Sequence, residues 1–156
     1  QLAYSAVLSL ENKTEQNIIA DLRYNRRQEI KRAKDLIVEN STDIEKLKFL
    51  HDKTFERQGI NLSEEDNEGM AKIARAAIQH GFGDVTTCLV DGEVASSTLF
   101  LYDNKRSYYL IGANDPDLRN TGASTKLMFE KILESKNKGL RELDFVGANS
   151  PQRGDY

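Results

Sequence analysis

The pair Asp91-Gly92 constrains this chain more than any other feature. It stands between two runs rich in apolar and β-branched residues, 85–90 and 93–102. Both members of such a pair tolerate positive φ, so the pair closes a two-residue hairpin whose twist matches that of its strands. A second break, Asp103-Asn104-Lys105-Arg106, precedes another strand-like run at 107–113, and Asn114-Asp115-Pro116-Asp117 ends it. Three sequential antiparallel strands are therefore expected. A meander of this kind leaves two faces and two edges to be covered by the rest of the chain.

Helical periodicity supplies the cover. Residues 14–34 read as one long helix with the stripe Ile18, Leu22, Ile30 and Ala33, interrupted by Arg26. Thr42-Asp43-Ile44-Glu45 reads as a capping box opening a helix that carries Ile44, Leu47, Leu50 and Phe55. Ser63 caps a third helix whose acidic first turn, Glu64, Glu65 and Asp66, suits the positive helix end, and His80-Gly81 closes it. A fourth runs from Asn120 or Thr121 to Lys138, with Leu127, Met128, Ile132 and Leu133 on its apolar side and Gly139 behind it. Strands are expected at 2–10, 36–39 and 140–146. The last is joined to the meander through a helix, which calls for a parallel crossover. The expectation is an α/β (α+β) fold, a mixed sheet flanked by helices.

Composition narrows the classes. A chain of 156 residues with 38% hydrophobic residues can build one core. One domain over 1–156 is expected, with 1–35 a leading strand and basic helix and 36–156 the main body. A formal net charge of -3 gives no global field that would demand nucleic acid or an anionic membrane. The single cysteine, Cys88, excludes an internal disulfide and points to the cytoplasm. No apolar stretch approaches the ~20 residues of a membrane span. Two distant histidines and one cysteine give no metal-ligand spacing, so no metal is expected.

From residue 36 the order strand, two helices, three antiparallel strands, helix, strand resembles the core of the GNAT acyltransferase superfamily. Arg119-Asn120-Thr121-Gly122-Ala123-Ser124 resembles its acyl-carrier motif, Gln/Arg-x-x-Gly-x-Gly/Ala, departing from it at Ser124. The chemistry is intelligible: glycine lets backbone approach a pyrophosphate, amides at a helix start point at the anion, and Arg119 adds a charge-assisted contact. Arg26-Arg27-Gln28-Glu29-Ile30-Lys31-Arg32-Ala33-Lys34 and Leu143-Asp144-Phe145-Val146-Gly147 resemble the basic helix and a strand end of FemAB-like members. That group includes aminoacyltransferases of peptidoglycan synthesis and acyltransferases of the cell envelope. The resemblance implies an N-acyltransferase or aminoacyltransferase with acyl-CoA or aminoacyl-tRNA as donor. The acceptor would be a small-molecule or lipid-linked amine. Partners would include tRNA or a second GNAT-like domain. It also implies that the last elements of the fold are missing at the C-terminus.

Candidate residues follow. Arg119, Gly122, Ala123 and Ser124 are expected to hold the carrier, with backbone donors near Ile111 and Gly112 polarising the acyl carbonyl. The two parallel strands 107–113 and 140–146 are expected to splay, so that the carrier arm fills the gap like an added strand. Asp144 is a candidate base or a structural acceptor. Tyr108 and Tyr109 face opposite ways; Tyr109 is the candidate proton donor to the leaving group. Arg26, Arg27, Lys31 and Asn149 are candidate substrate contacts. Arg26 has two readings, an ion pair with Asp144 or a carboxylate clamp. The competing reading of the whole chain is a non-catalytic GNAT-like half domain that binds or braces a partner.

Overall fold

A computed structural model describes residues 4–147. Its six-stranded sheet has the order β1-β6-β5-β4-β3-β2, where β1 is Val7–Ser9, β2 Ile37–Ser41, β3 Gly83–Val90, β4 Glu93–Tyr102, β5 Arg106–Asn114 and β6 Glu142–Asp144. Every neighbouring pair is antiparallel except β5–β6, which is parallel. The meander forms as expected. Asp91 and Gly92 take φ of 51° and 85°, the left-handed pair that a two-residue hairpin turn requires.

Helices cover both faces. α3 (Ile44–Glu56) and α4 (Glu64–Gln79) lie on one side. There Leu47, Leu50, Ala74 and Ala77 pack against Val85, Leu99 and Ala113. On the other side are α1 (Glu15–Asp21), α2 (Tyr24–Arg32) and α5 (Ala123–Asn137). Phe129 and Ile132 of α5 meet Phe100 and Leu143 there, with Ile18 of α1 in the same cluster.

Three local expectations need correction. The single helix over 14–34 is two helices, broken at Leu22, whose ψ of 142° is extended. Arg27 Nη1 donates to the carbonyls of Ala20 and Leu22 and so satisfies acceptors that the break leaves open. The cap of α3 is Asp43, which accepts from the Lys46 amide, and not Thr42. Finally, α5 starts at Ala123, two to three residues later than expected. A short 3₁₀ turn, Arg119–Thr121, comes first, and Gly122 at φ 84° redirects the chain between the two.

One buried charge network stands between α5 and the sheet. Lys131, fully buried, donates to Asp84 at 2.8 Å and Glu134 at 2.6 Å and lies over the Phe100 and Tyr102 rings. The Tyr102 hydroxyl donates to the other Asp84 oxygen. Burial opposes ionisation of Asp84, but Lys131 and these hydrogen bonds outweigh it and hold its carboxyl below its ordinary pKa.

Candidate active site

The site is built by a disagreement between two neighbouring strands. β5 runs to Asn114 and stays paired with β4 to its end. Its pairing with β6 covers only Arg106–Tyr108, matched to Glu142–Asp144. Beyond that point β6 leans the other way: the Phe145 amide donates to Ala6 beside β1. Among the described residues the β5 edge from Tyr109 to Asn114 therefore has no strand on that side, which leaves its backbone groups open to a ligand.

A β-bulge sets what each face of this edge presents. Leu99 pairs with Ile111 and Phe100 with Tyr109, so Leu110 is the extra residue. The shift breaks the two-residue alternation. Tyr109 and Gly112 share one face, where simple alternation would oppose them. Indeed a Cβ on Gly112 would overlap the Tyr109 phenol. Leu110 and Ile111 border a groove against α4 on the other face.

On the α5 face the edge borders a slot of about 330 Å³. Its walls are apolar: Leu22 and Ile30 from α1–α2, Met128, Phe129 and Ile132 from α5, and Phe145 beyond β6. Tyr109, Ser96, Thr98 and Asn114 form its sheet side. Ser96 donates to Asn114 Oδ1 at 2.8 Å, which fixes the amide at the end of the open edge. No described residue hydrogen-bonds the Tyr109 hydroxyl. Burial raises its pKa, so the phenol carries its proton across the physiological range.

Ser124 and Asn114 also line a second, smaller pocket of about 150 Å³ with Arg57, Arg119 and Ala123. The structure thus places Ser124 and Tyr109 on the slot, Arg119 and Ala123 on the smaller pocket that shares Ser124 and Asn114 with it, and Gly112 against the Tyr109 ring. Phosphate fits this place in part. The first-turn amides of α5 have no intrahelical acceptor, and of these Ala123 meets only Thr121 Oγ1, at 3.4 Å. Arg57 and Arg119 are in no ion pair among the described residues. Gly122 does not fit the role expected of it. It is buried beneath α2, and a Cβ there would come within 2.9 Å of the Glu29 carbonyl oxygen and 3.2 Å of Ala33 Cβ. Its conformation and its packing against α2 both call for glycine, with no phosphate involved.

The basic helix is placed differently from its expectation. Arg26 does not pair with Asp144. It donates to Glu29 at 2.7 Å and to Thr125 Oγ1 at 3.2 Å, bridging α2 to α5 at the rim of the slot. Thr125 also donates to Glu29, and this bond, with Arg26 beside it, lowers the Glu29 pKa. Arg27 is occupied at the α1–α2 break, and Lys31 is exposed outside the slot. Asp144 is buried and does not line the slot. Its Oδ1 accepts from Ser5 and from the Val146 amide at 2.9 Å, and its Oδ2 from Arg106 at 3.5 Å, an arrangement that anchors the strand end. Asn149 lies outside the described residues. Sequence reasoning missed Ser96, Thr98 and Asn114. The signal was there in the polar run Ser96-Ser97-Thr98 inside a strand otherwise written for burial. Cys88 is no nucleophile at neutral pH, since burial pushes its thiol up to about 11. Among the described residues no cluster of His, Cys, Asp or Glu is arranged to hold a metal ion.

The comparison with known families agrees with this architecture. A family model described as an acetyltransferase (GNAT) domain matches residues 20–156. The chain belongs to the GNAT family. Among solved structures, this GNAT chain is similar to FemX, with a TM-score of 0.84 and 14% identity, over 97% of the chain and 55% of FemX. It is similar to L-PGS from Bacillus licheniformis, with a TM-score of 0.64 and 15% identity, over 99% of the chain and 48% of that protein. It also resembles a predicted acetyltransferase with acetyl-CoA from Clostridium acetobutylicum, with a TM-score of 0.61 and 10% identity, over 73% and 82% of the two chains. The chain spans about half the length of FemX and of L-PGS. A search of curated proteins finds no match. The six-stranded mixed sheet with helices on both faces is the GNAT fold.

Proposed function

We propose that this GNAT domain transfers an acyl or aminoacyl group from a carrier to an amine, with the reaction at the fork between β5 and β6. The observation that carries this reading is the open β5 edge beyond Tyr108, bordered by a slot that ends at the start of α5. The carrier arm lies along the edge and supplies the missing strand partner. Its phosphates meet Arg119, Ser124 and the first α5 amides, with Arg57 beside them. Backbone groups of Ile111 and Gly112 hold the acyl oxygen as charge develops on it. The amine enters from the α4 face. It sheds one proton to solvent before attack; its nitrogen–carbon bond then forms and the carbonyl–carrier bond breaks. The Tyr109 phenol protonates the departing sulfur or oxygen; the new amide nitrogen gives its extra proton to solvent, and solvent returns one to the phenol. Positioning supplies most of the rate, because the donor is already activated.

Likeness to FemX and L-PGS supports a role in the cell envelope, with aminoacyl-tRNA or acyl-CoA as donor and a lipid-linked or small-molecule amine as acceptor, working from the cytoplasm. No described helix is long and apolar enough to cross a membrane. A second reading is a non-catalytic half that braces another domain. The placement of α2 over Gly122, with the Glu29 carboxylate on Thr125, favours it, because an anion already stands where a carrier phosphate would approach. The test is transfer of radiolabelled acetyl or aminoacyl groups, together with thermal stabilisation by acyl-CoA and by aminoacyl-tRNA. Stabilisation by one donor, weakened in Arg119→Ala, supports transfer. Absence of both stabilisation and transfer with every donor supports the bracing role.

A further inference from the structure

Gly83, Gly112 and Gly122 each sit where a Cβ would collide with neighbouring atoms. Gly69 does not. It stands in the middle of α4, its φ is not positive, and beyond its chain neighbours and the helix's own backbone no described atom lies within 4 Å of the place its Cβ would take. Alanine would fit there and would favour the helix, so no packing among the described residues accounts for glycine. What the missing side chain leaves is space. Glu65, Gly69 and Ile73 are spaced four apart and form one ridge of α4, with a notch at its centre.

The notch opens on a groove of about 640 Å³ floored by Met70, Leu110 and Ile111, with Ile73 at its side. Leu110 and Ile111 are the pair at the bulge, so this floor is the reverse side of the strand segment that carries Tyr109 and Gly112. Ile73 is 47% exposed on a helix that buries Met70, Ala74 and Ala77. At the rim, Asp66 is engaged in the Ser63 cap, Glu65 is in no ion pair among the described residues, and Lys72 is the opposing charge. Two carboxylates against one ammonium give the rim a net negative charge.

We infer that Gly69 is a specificity-determining position. It admits an acceptor whose ammonium is carried on a slim, unbranched apolar stem, and the stem crosses the notch to reach the β5 edge. This rests on the acyl-transfer reading and adds to it the class of acceptor. Branched or ring-bearing amines meet the ridge on either side of the notch, and anionic amines meet the rim.

The test uses the full chain with Gly69→Ala and Gly69→Leu, acetyl-CoA and aminoacyl-tRNA as donors, and hexylamine and Nα-acetyl-lysinamide as acceptors. Both variants keep or raise Tm, because each side chain enters open space on a helix. The acceptor KM rises at least about tenfold in Gly69→Leu and less in Gly69→Ala, as expected where methylenes occupy a substrate pocket, while kcat and the donor KM stay. Active variants with an unchanged acceptor KM overturn the inference. If the wild-type chain transfers to neither amine with either donor, a hexylamine titration followed by NMR decides separately. Shifts of the Gly69, Ile73 and Ile111 amides that vanish in Gly69→Leu uphold the groove, and their absence in the wild type overturns it.

Discussion

Gly112→Ala is the sharpest probe of the bulge that organises the site. An alanine Cβ would overlap the Tyr109 phenolic oxygen and its Cζ and come within 3.0 Å of Cε2. The ring must move, and it gives up its packing against Phe100 at 5.4 Å and Phe145 at 6.4 Å between centroids when it does. Overpacking of this kind costs about 1–3 kcal/mol. The geometry also says which second change relieves it. Tyr109→Phe removes the oxygen but leaves Cζ in the way, so it does not rescue. Tyr109→Val removes the ring and does. The assay is a double-mutant cycle read by urea denaturation. Gly112→Ala should destabilise both the otherwise unchanged chain and the Tyr109→Phe variant. In the Tyr109→Val variant it should be close to neutral, a coupling of about 1–3 kcal/mol. A neutral Gly112→Ala in the otherwise unchanged chain, or zero coupling with Tyr109→Val, would refute the placement of Tyr109 and Gly112 on one face.

Other expectations follow from the same structure. Tyr109→Phe should lower kcat about a hundredfold with the donor KM unchanged, in steady-state kinetics, if the phenol is the acid. Lys131→Met should destabilise by about 3 kcal/mol in chemical denaturation, since it strips the cation from Asp84 and Glu134, and adding Asp84→Asn should recover part of that loss. Asp84 has a folded pKa below its unfolded value. Its contribution is therefore present above the unfolded pKa of about 4 and is lost as pH falls through the folded value; an acid titration of stability should show this slope, flattened in Asp84→Asn. Arg27→Ala should expose the Ala20 and Leu22 carbonyls and speed amide exchange in α1 ahead of α5.

The chain announces its sheet through local chemistry. Asp91-Gly92 fixes one turn with two residues, and the register of β3 on β4 follows from it with a single irregularity, at Cys88/Leu89. The helix ends at Ser63, His80 and Gly139 were equally plain, because caps act within one turn. What failed was non-local. The stripe from Ile18 to Ala33 holds its helical spacing across the break at Leu22, so periodicity could not reveal that the chain turns there. Gly122 lies in a phosphate-binding pattern, yet the contact that requires glycine comes from α2, about 90 residues earlier in the chain. Arg26 reads as an intruder in an apolar stripe, and only the packing of α2 on α5 shows that it faces Thr125. The bulge at Leu110 has no signature in the run Tyr108-Tyr109-Leu110-Ile111, where every residue is a good strand former. Its consequence, Tyr109 and Gly112 on one face, had to come from the register.

Amide hydrogen exchange along β5 tests the open edge most directly. In the chain without ligand, amides between Tyr109 and Asn114 that point away from β4 should exchange quickly, while those paired to β4 stay protected. Adding the donor that stabilises the protein should slow the fast set. Slow exchange of the whole segment without ligand, or no change when the donor binds, would contradict a carrier arm seated in the fork.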